Sequence, residues 1–254
     1  MKKSLFIFTS LVLICLTMSC EFFSKPLYRF SRDISGVIGS MSTADLAGNV
    51  DKLSSDPKIA ADVLNELANR PQDEVSNLSK EDKEKLLNAG VSAILPVSQL
   101  GDMVEQLTKG DGEMNFATIM DSLSQGGASV NTKALETILE DENILKTTDA
   151  STLAFSAASL IVNTVKTEVG DSSSFEDKMT AFQDVAKDVN GNFDKENFAT
   201  QLEDKGFSPE SASALSAAMG VADILTGERK DDAAGVGFGG FTISDLLDQM
   251  TGGN

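Results

Sequence analysis

The segment from Asp149 to Val169 constrains the fold more than any other part of the chain, because it has almost no polar face. Its apolar side chains occur all around the helical repeat instead of on one side. They are Leu153, Ala154, Phe155, Ala157, Ala158, Leu160, Ile161, Val162 and Val165. A helix that is apolar on every side is buried by other elements. The segment therefore predicts a central helix around which the rest of the chain packs.

Signals for the start of a helix recur on both sides of this segment. A capping residue precedes an amphipathic stretch at Asp56-Pro57, Ser79, Ser174, Asp194 and Ser208-Pro209. Shorter amphipathic stretches cover 98–107, 115–123 and 132–139, and no run of alternating β-branched residues competes with them. We expect an all-α fold of about ten short helices over residues 33–227, packed as one irregular bundle or as two halves around 149–169.

The first 19 residues have the form of an export signal. Lys2 and Lys3 precede an apolar run from Leu5 to Leu16, which is too short to span roughly 30 Å of hydrocarbon as a stable helix. We therefore assign residues 1–19 to a signal peptide. Its removal takes away two basic residues and changes the net charge from −18 to −20.

The apolar run ends in Leu16-Thr17-Met18-Ser19-Cys20. This segment resembles the lipobox of bacterial lipoproteins in the relaxed form found in spirochaetes, with leucine four residues before the cysteine. The resemblance implies cleavage before Cys20 and acylation of that cysteine, which would anchor the chain to a membrane. Cys15 leaves with the signal peptide, so an unmodified Cys20 would lack an intramolecular partner in an oxidising compartment. The alternative is an ordinary secretory signal with an incidental cysteine.

Residues 20–32 form the most strongly net-positive stretch of the chain that follows the cleavage site. Aromatic and basic side chains alternate there: Phe22, Phe23, Lys25, Tyr28, Arg29, Phe30 and Arg32. Aromatic rings favour the headgroup zone of a membrane, and basic residues favour an anionic surface. We interpret this stretch as a membrane-proximal tether. The alternative is a linker whose aromatic side chains pack on the following domain.

The amino-acid composition excludes several classes of function. The sequence contains no histidine, which excludes Ser-His-Asp and Cys-His hydrolases and histidine-ligated zinc sites. The strongly acidic balance opposes binding to nucleic acid. Enzymes that use paired carboxylates or Ser-Lys remain formally open, but no such set stands out, so we expect no enzymatic activity and nominate no catalytic residue.

The loop from Asp188 to Glu196 resembles half of an EF-hand, because oxygen-bearing side chains alternate between two predicted helices. It departs from that pattern at the strongest positions, since Phe193 replaces the glycine and Ala199 the bidentate glutamate. We therefore expect a solvated turn that ends in a helix cap at Asp194, and no metal or cofactor.

Residues 228–254 combine charged residues, a glycine-rich stretch and a short amphipathic segment. The glycine-rich stretch is typical of a flexible linker. After it, Ile243, Leu246, Leu247 and Met250 form one apolar stripe on a predicted two-turn helix. Two turns are not stable alone, so the stripe either docks on the chain itself or contacts a partner.

Three functions fit these features. The first is a lipid-anchored, non-enzymatic helical protein of the cell envelope, outside the cytoplasm on the inner or outer membrane, that contacts another envelope protein or a host protein. The second is a carrier of an apolar ligand within a helical cavity lined by the segment Leu153 to Val165. The third, an enzyme, has the least support. A cavity and its lining would help to distinguish them.

Overall fold

A computed structural model of the chain describes residues 34–53, 56–95, 128–169, 173–187, 193–234, 237–238 and 241–242. The chain divides into two units, residues 1–41 and 42–254. The described part of the first unit is the short helix α1, Ile34–Ser40, and the residue that follows it. Ser40 Oγ donates a hydrogen bond of 2.9 Å to the carbonyl of Val37 and so satisfies one of the last acceptors of this helix.

The secondary-structure elements described in the second unit are all helices except for one short strand pair. Its helices are α2 Thr43–Gly48, α3 Val50–Leu53, α4 Pro57–Ala68, α5 Gln72–Ser76, α6 Lys80–Ile94, α7 Lys133–Leu139, α8 Glu142–Thr147, α9 Ala150–Glu168, α10 Phe175–Ala186, α11 Lys195–Asp204, α12 Pro209–Thr226 and α13 Lys230–Ala234. The strands β1 Gly237–Phe238 and β2 Phe241–Thr242 pair antiparallel. The predicted all-α fold is confirmed.

Side-chain caps set the starts of the longer helices, as the sequence predicted. Asp56 accepts from the backbone of α4, with Pro57 in the first turn, and Ser79 accepts from the backbone of α6. Ser174 and Asp177 form a reciprocal capping box at α10. A cap of this kind contributes about 1 kcal/mol and fixes where the helix begins.

Helix α9 is the central buried helix. Every residue from Leu153 to Val165 is buried except Phe155, which is half-buried. The helix packs most extensively on α12 and also contacts α6, α7, α10 and α13. Its position confirms the expectation drawn from its uniformly apolar sequence.

Helices α6 and α7 approach closely at Gly90. A Cβ atom at this position would lie 2.8 Å from Cδ1 of Leu135, which is closer than real Cβ atoms come. The absent side chain therefore lets the two helices pack, and any substitution must displace Leu135.

The described residues hold more helices than the expected ten or so, because several are very short. Helices α2, α3, α5, α8 and α13 have between four and six residues each. So few residues do not complete enough turns to show a helical period in the sequence. Ser42 caps α2 and Asp141 caps α8, but helices this short depend on tertiary packing to be stable.

Helical structure also continues into the segment that the sequence assigned to a linker. Helix α13 lies within residues 228–254, and its Ala233 is buried. Just before it, Arg229 Nη1 donates to the carbonyl oxygens of Leu145 at 2.7 Å and Thr148 at 2.8 Å, at the end of α8. These charge-assisted hydrogen bonds hold the start of α13 against the body of the second unit. The strand pair follows within the glycine-rich stretch.

Candidate functional site: a polar pocket beside the central helix

Most of the site residues predicted from the sequence lie outside the described residues. This holds for Cys20, for all seven aromatic and basic residues of the predicted tether, and for the apolar stripe of Ile243, Leu246, Leu247 and Met250. The proposed anchor, tether and contact stripe therefore stay predictions.

The EF-hand-like loop is described only at its end. Residues 188–192 lie outside the described residues, and Asp194 is the N-cap of α11, where its carboxylate accepts from the backbone N–H groups of Glu196 and Asn197. The role of Asp194 in the structure is thus that of a helix cap.

Two other kinds of site are absent from the described ranges. No three Asp, Glu, Cys or His side chains there lie close enough together to bind a metal ion. None of the helices in those ranges is both long and apolar enough to cross a membrane.

A buried ion pair lies between α6 and the start of α8. Lys83 is only 4% exposed, and its Nζ donates to Oδ2 of Asp141 and, at 2.6 Å, to the carbonyl of Ser76. The hydrogen bond from Lys83, followed by those from the backbone of α8, holds the pKa of Asp141 below its usual range. The pair joins α5, α6 and α8. Because these partners satisfy the charge of Lys83, the pair is not a candidate site.

A pocket of about 570 Å³ lies beside the carboxyl-terminal half of α9. Side chains of α4, α7, α9 and α12 line it, together with the connection over 129–132 that leads into α7. Its apolar lining residues are Ala68, Val130 and Ala214, and the others carry hydroxyl, amide, carboxylate or ammonium groups. The size is typical of a site for a small molecule, whereas the lining is more polar than usual.

Two asparagines hold the connection that forms one wall of this pocket. Asn163 of α9 accepts from the backbone N–H of Val130 at 3.1 Å and donates to its carbonyl at 2.7 Å. Asn65 of α4 accepts from the backbone N–H of Asn131 at 2.6 Å. These hydrogen bonds fix the backbone on the wall, so its shape is set before any ligand arrives.

One carboxylate is buried in the pocket lining. Glu136 of α7 is 4% exposed, and its Oε1 accepts from Ser213 Oγ and from Lys133 Nζ at 3.2 Å. Ser213 belongs to α12, so this carboxylate also connects α7 to α12. A buried carboxylate needs such donors, because an unpaired charge is costly away from water.

A second carboxylate lies near the pocket at the end of α9. Burial alone would raise the pKa of Glu168, but hydrogen bonds from Ser208 and Ser211 more than offset burial and lower that pKa below its usual range. Ser211 lines the pocket. The carboxylate therefore stays ionised at neutral pH and ties the end of α9 to the start of α12.

Sequence reasoning missed this pocket. It assigned almost no polar face to the segment that forms α9, although Asn163 and Thr164 interrupt the apolar run. Buried polar side chains require partners, so an amide in the middle of a buried helix was a usable signal. Its partner at Val130 is 33 residues away and could not be identified without the fold.

Comparison with protein-family profiles, with curated proteins and with solved structures returns no match to this chain.

Proposed function

We propose that the chain is a lipid-anchored, non-enzymatic helical protein of the bacterial cell envelope, which acts through contact with another envelope protein or a host protein. The observation that carries this proposal is the placement of Cys20 four residues after the end of a short apolar run that follows a basic start. A signal of this form directs export, and a cysteine at its end offers a site for acyl chains.

The buried ionisable groups of the described residues support a non-enzymatic role. Lys83 and Glu136 have opposite charges or hydroxyl groups as partners, and these contacts join helices. Perturbed and buried charges are candidates for catalysis only when their surroundings leave them a chemical task. Here each contact has a structural explanation.

The alternative, a carrier of an apolar ligand, is less well supported. The pocket beside α9 is lined mainly by polar groups, which would lose their hydrogen bonds to water beneath an apolar ligand. Leu153, Leu160 and Ile161, which were expected to line an apolar cavity, are fully buried in the packed core.

Substitution of Cys20 tests the anchor. Cys20→Ser should move the full chain from the detergent phase to the aqueous phase in a detergent partition, and the mass of the acyl chains should disappear from its N-terminal peptide. Cys15→Ser is the matched control, because this cysteine lies within the signal peptide and its variant should remain acylated. A wild-type N-terminal peptide without acyl mass would overturn the proposal.

The contact role has a separate test. The test is a pull-down from native membranes with lipids intact. The double variant Leu246→Asp, Leu247→Asp should recover less of any partner protein that wild type retains, because a charge in the apolar stripe opposes its burial. Asp245→Ala with Asp248→Ala serves as the control, because it changes acidic positions beside the stripe. Equal recovery by wild type and both variants would remove the stripe as the contact site.

A further inference from the structure

The polar pocket has features of a binding site that its structural roles do not explain. It is bordered by four helices, and hydrogen bonds from Asn65 and Asn163 hold its connecting wall in place. Several of its lining residues, among them Asn131, Thr167 and Glu210, are exposed, so the pocket opens to solvent and a hydrophilic molecule can enter it. A preformed, open polar pocket of about 570 Å³ suits a small hydrophilic molecule.

The charges around the pocket favour a cation. Its lining carries two carboxylates, Glu136 within and Glu210 at an exposed position, against the single ammonium of Lys133, which pairs with Glu136 and leaves an excess of one negative charge. The chain as a whole has a net charge of −18. A recess lined by excess negative charge concentrates cations and repels anions.

Hydrogen-bonding capacity remains in the lining. Both described contacts of Glu136 engage Oε1, which leaves Oε2 as an acceptor. Thr164 lines the pocket and is 3% exposed, and its Oγ1 has no hydrogen-bond partner among the described residues. A buried hydroxyl without a partner costs stability unless a bound molecule satisfies it, and rotation about χ1 can turn this hydroxyl toward such a molecule.

The type of cation follows from what lines the walls. No aromatic ring is among the described residues around the pocket, so it lacks the cage that binds quaternary ammonium groups. The lining is instead rich in oxygen acceptors from Asn, Thr, Ser and Glu side chains. A primary ammonium group donates three hydrogen bonds and matches such acceptors.

We propose that this pocket binds a small hydrophilic molecule that carries a primary ammonium group together with hydroxyl groups. The ammonium group donates to Oε2 of Glu136, beside the contact that Lys133 and Ser213 make with Oε1. The hydroxyl groups exchange hydrogen bonds with Thr164 and the neighbouring polar side chains. This binding function goes beyond the proposed contact role and does not depend on it.

Three sugars of similar size and different charge provide the test. The full chain, purified in detergent, is titrated by calorimetry with glucosamine, glucose and glucuronate. Glucosamine should bind with a dissociation constant of about 1 mM or tighter. Glucose should bind at least about fivefold more weakly and glucuronate weaker still, because only the amine gains from the excess of carboxylates.

Two substitutions assign the binding to this pocket. Glu136→Gln keeps the shape of the side chain and should weaken glucosamine binding about tenfold while changing glucose binding little. Thr164→Val removes the hydroxyl at nearly constant volume and should weaken glucosamine binding about fivefold, without lowering the melting temperature, since the hydroxyl lacks a partner in the free protein.

Ser156→Ala is the matched control for Thr164→Val. Ser156 lies on the same helix, about two turns earlier, and its hydroxyl is also buried without a described partner, but it does not line the pocket. This variant should bind all three sugars as wild type does. Equal affinity for the three sugars, no binding of glucosamine at about 10 mM, or unchanged binding in both Glu136→Gln and Thr164→Val would overturn the proposal.

Discussion

The middle of α9 and its pocket-lining part each bury a polar side chain, and the two side chains are satisfied in different ways. Ser159, at the middle, donates its hydroxyl to the carbonyl of Phe155, one turn earlier on the same helix, at 2.7 Å. Asn163, in the pocket-lining part, pairs with the backbone of Val130, outside the helix. Ser159 is thus satisfied within its own helix, whereas Asn163 needs a segment that the rest of the fold brings to it. Core and pocket can thus be disrupted separately.

The largest expected effect comes from the packed core. Leu160→Ala removes a fully buried side chain on the surface where α9 meets its neighbours, and it should lower the free energy of unfolding by about 3 kcal/mol. Urea denaturation measures this loss. Val169→Ala, at an exposed position just beyond the helix, is the control and should change stability by less than about 0.5 kcal/mol. Similar losses in the two variants would contradict the central position of α9.

A somewhat smaller effect is expected at the pocket wall. Asn163→Leu fills a similar volume but leaves the N–H and carbonyl of Val130 unpaired, which should cost about 2 kcal/mol in urea denaturation. Asn65→Ala provides the comparison, because the N–H of Asn131 that it releases belongs to an exposed residue and can bond to water. If the two variants lose equal stability, the connection over 129–132 is not held mainly by α9.

The smallest expected effect depends on pH and lies outside α9. The pKa of Asp141 is lowered in the folded state, chiefly by the hydrogen bond from Lys83, so its contribution to stability is present above the unfolded pKa of about 3.9. This contribution disappears as the pH falls through the lower folded pKa. Because the Asp141 side chain is 28% exposed, solvent limits the loss to about 1 kcal/mol.

Denaturation at pH 7 and near pH 3 measures this contribution. Asp141→Asn retains an oxygen that can cap α8 but does not ionise, so the variant should lose less stability than wild type between the two pH values. Glu142→Gln is the control, since its partner Lys146 forms an exposed pair within one helix. An identical pH dependence in wild type and Asp141→Asn would show that the pair with Lys83 adds nothing to stability.

Local signals predicted the described long helices well. Asp56, Ser79, Ser174 and Asp194 each cap a helix where the sequence placed its start, because a cap and the turn that it closes are only a few residues apart. The apolar run of α9 was likewise sufficient to identify a buried helix.

The pocket could not be predicted in the same way. It depends on Asn163 meeting Val130, on Asn65 meeting Asn131 and on Glu136 meeting Ser213, and these pairs are separated by 33, 66 and 77 residues. A sequence pattern shows that such polar groups need partners but not where the chain will bring them together. Short helices such as α8 and α13 have the same dependence on distant contacts, because they are too short to form alone.

The hydrogen bonds of Arg229 have a consequence for the timing of synthesis. Its guanidinium holds the carbonyl of Leu145, which precedes it by 84 residues. At roughly 5–20 residues per second, a ribosome needs about 4–17 s to add that length of chain. During this interval the residues of the last turn of α8 and the start of α9 have been made, but the side chain that joins them to α13 has not. The junction that leads into the most deeply buried of the described helices can therefore form only after nearly all of the described chain has been made.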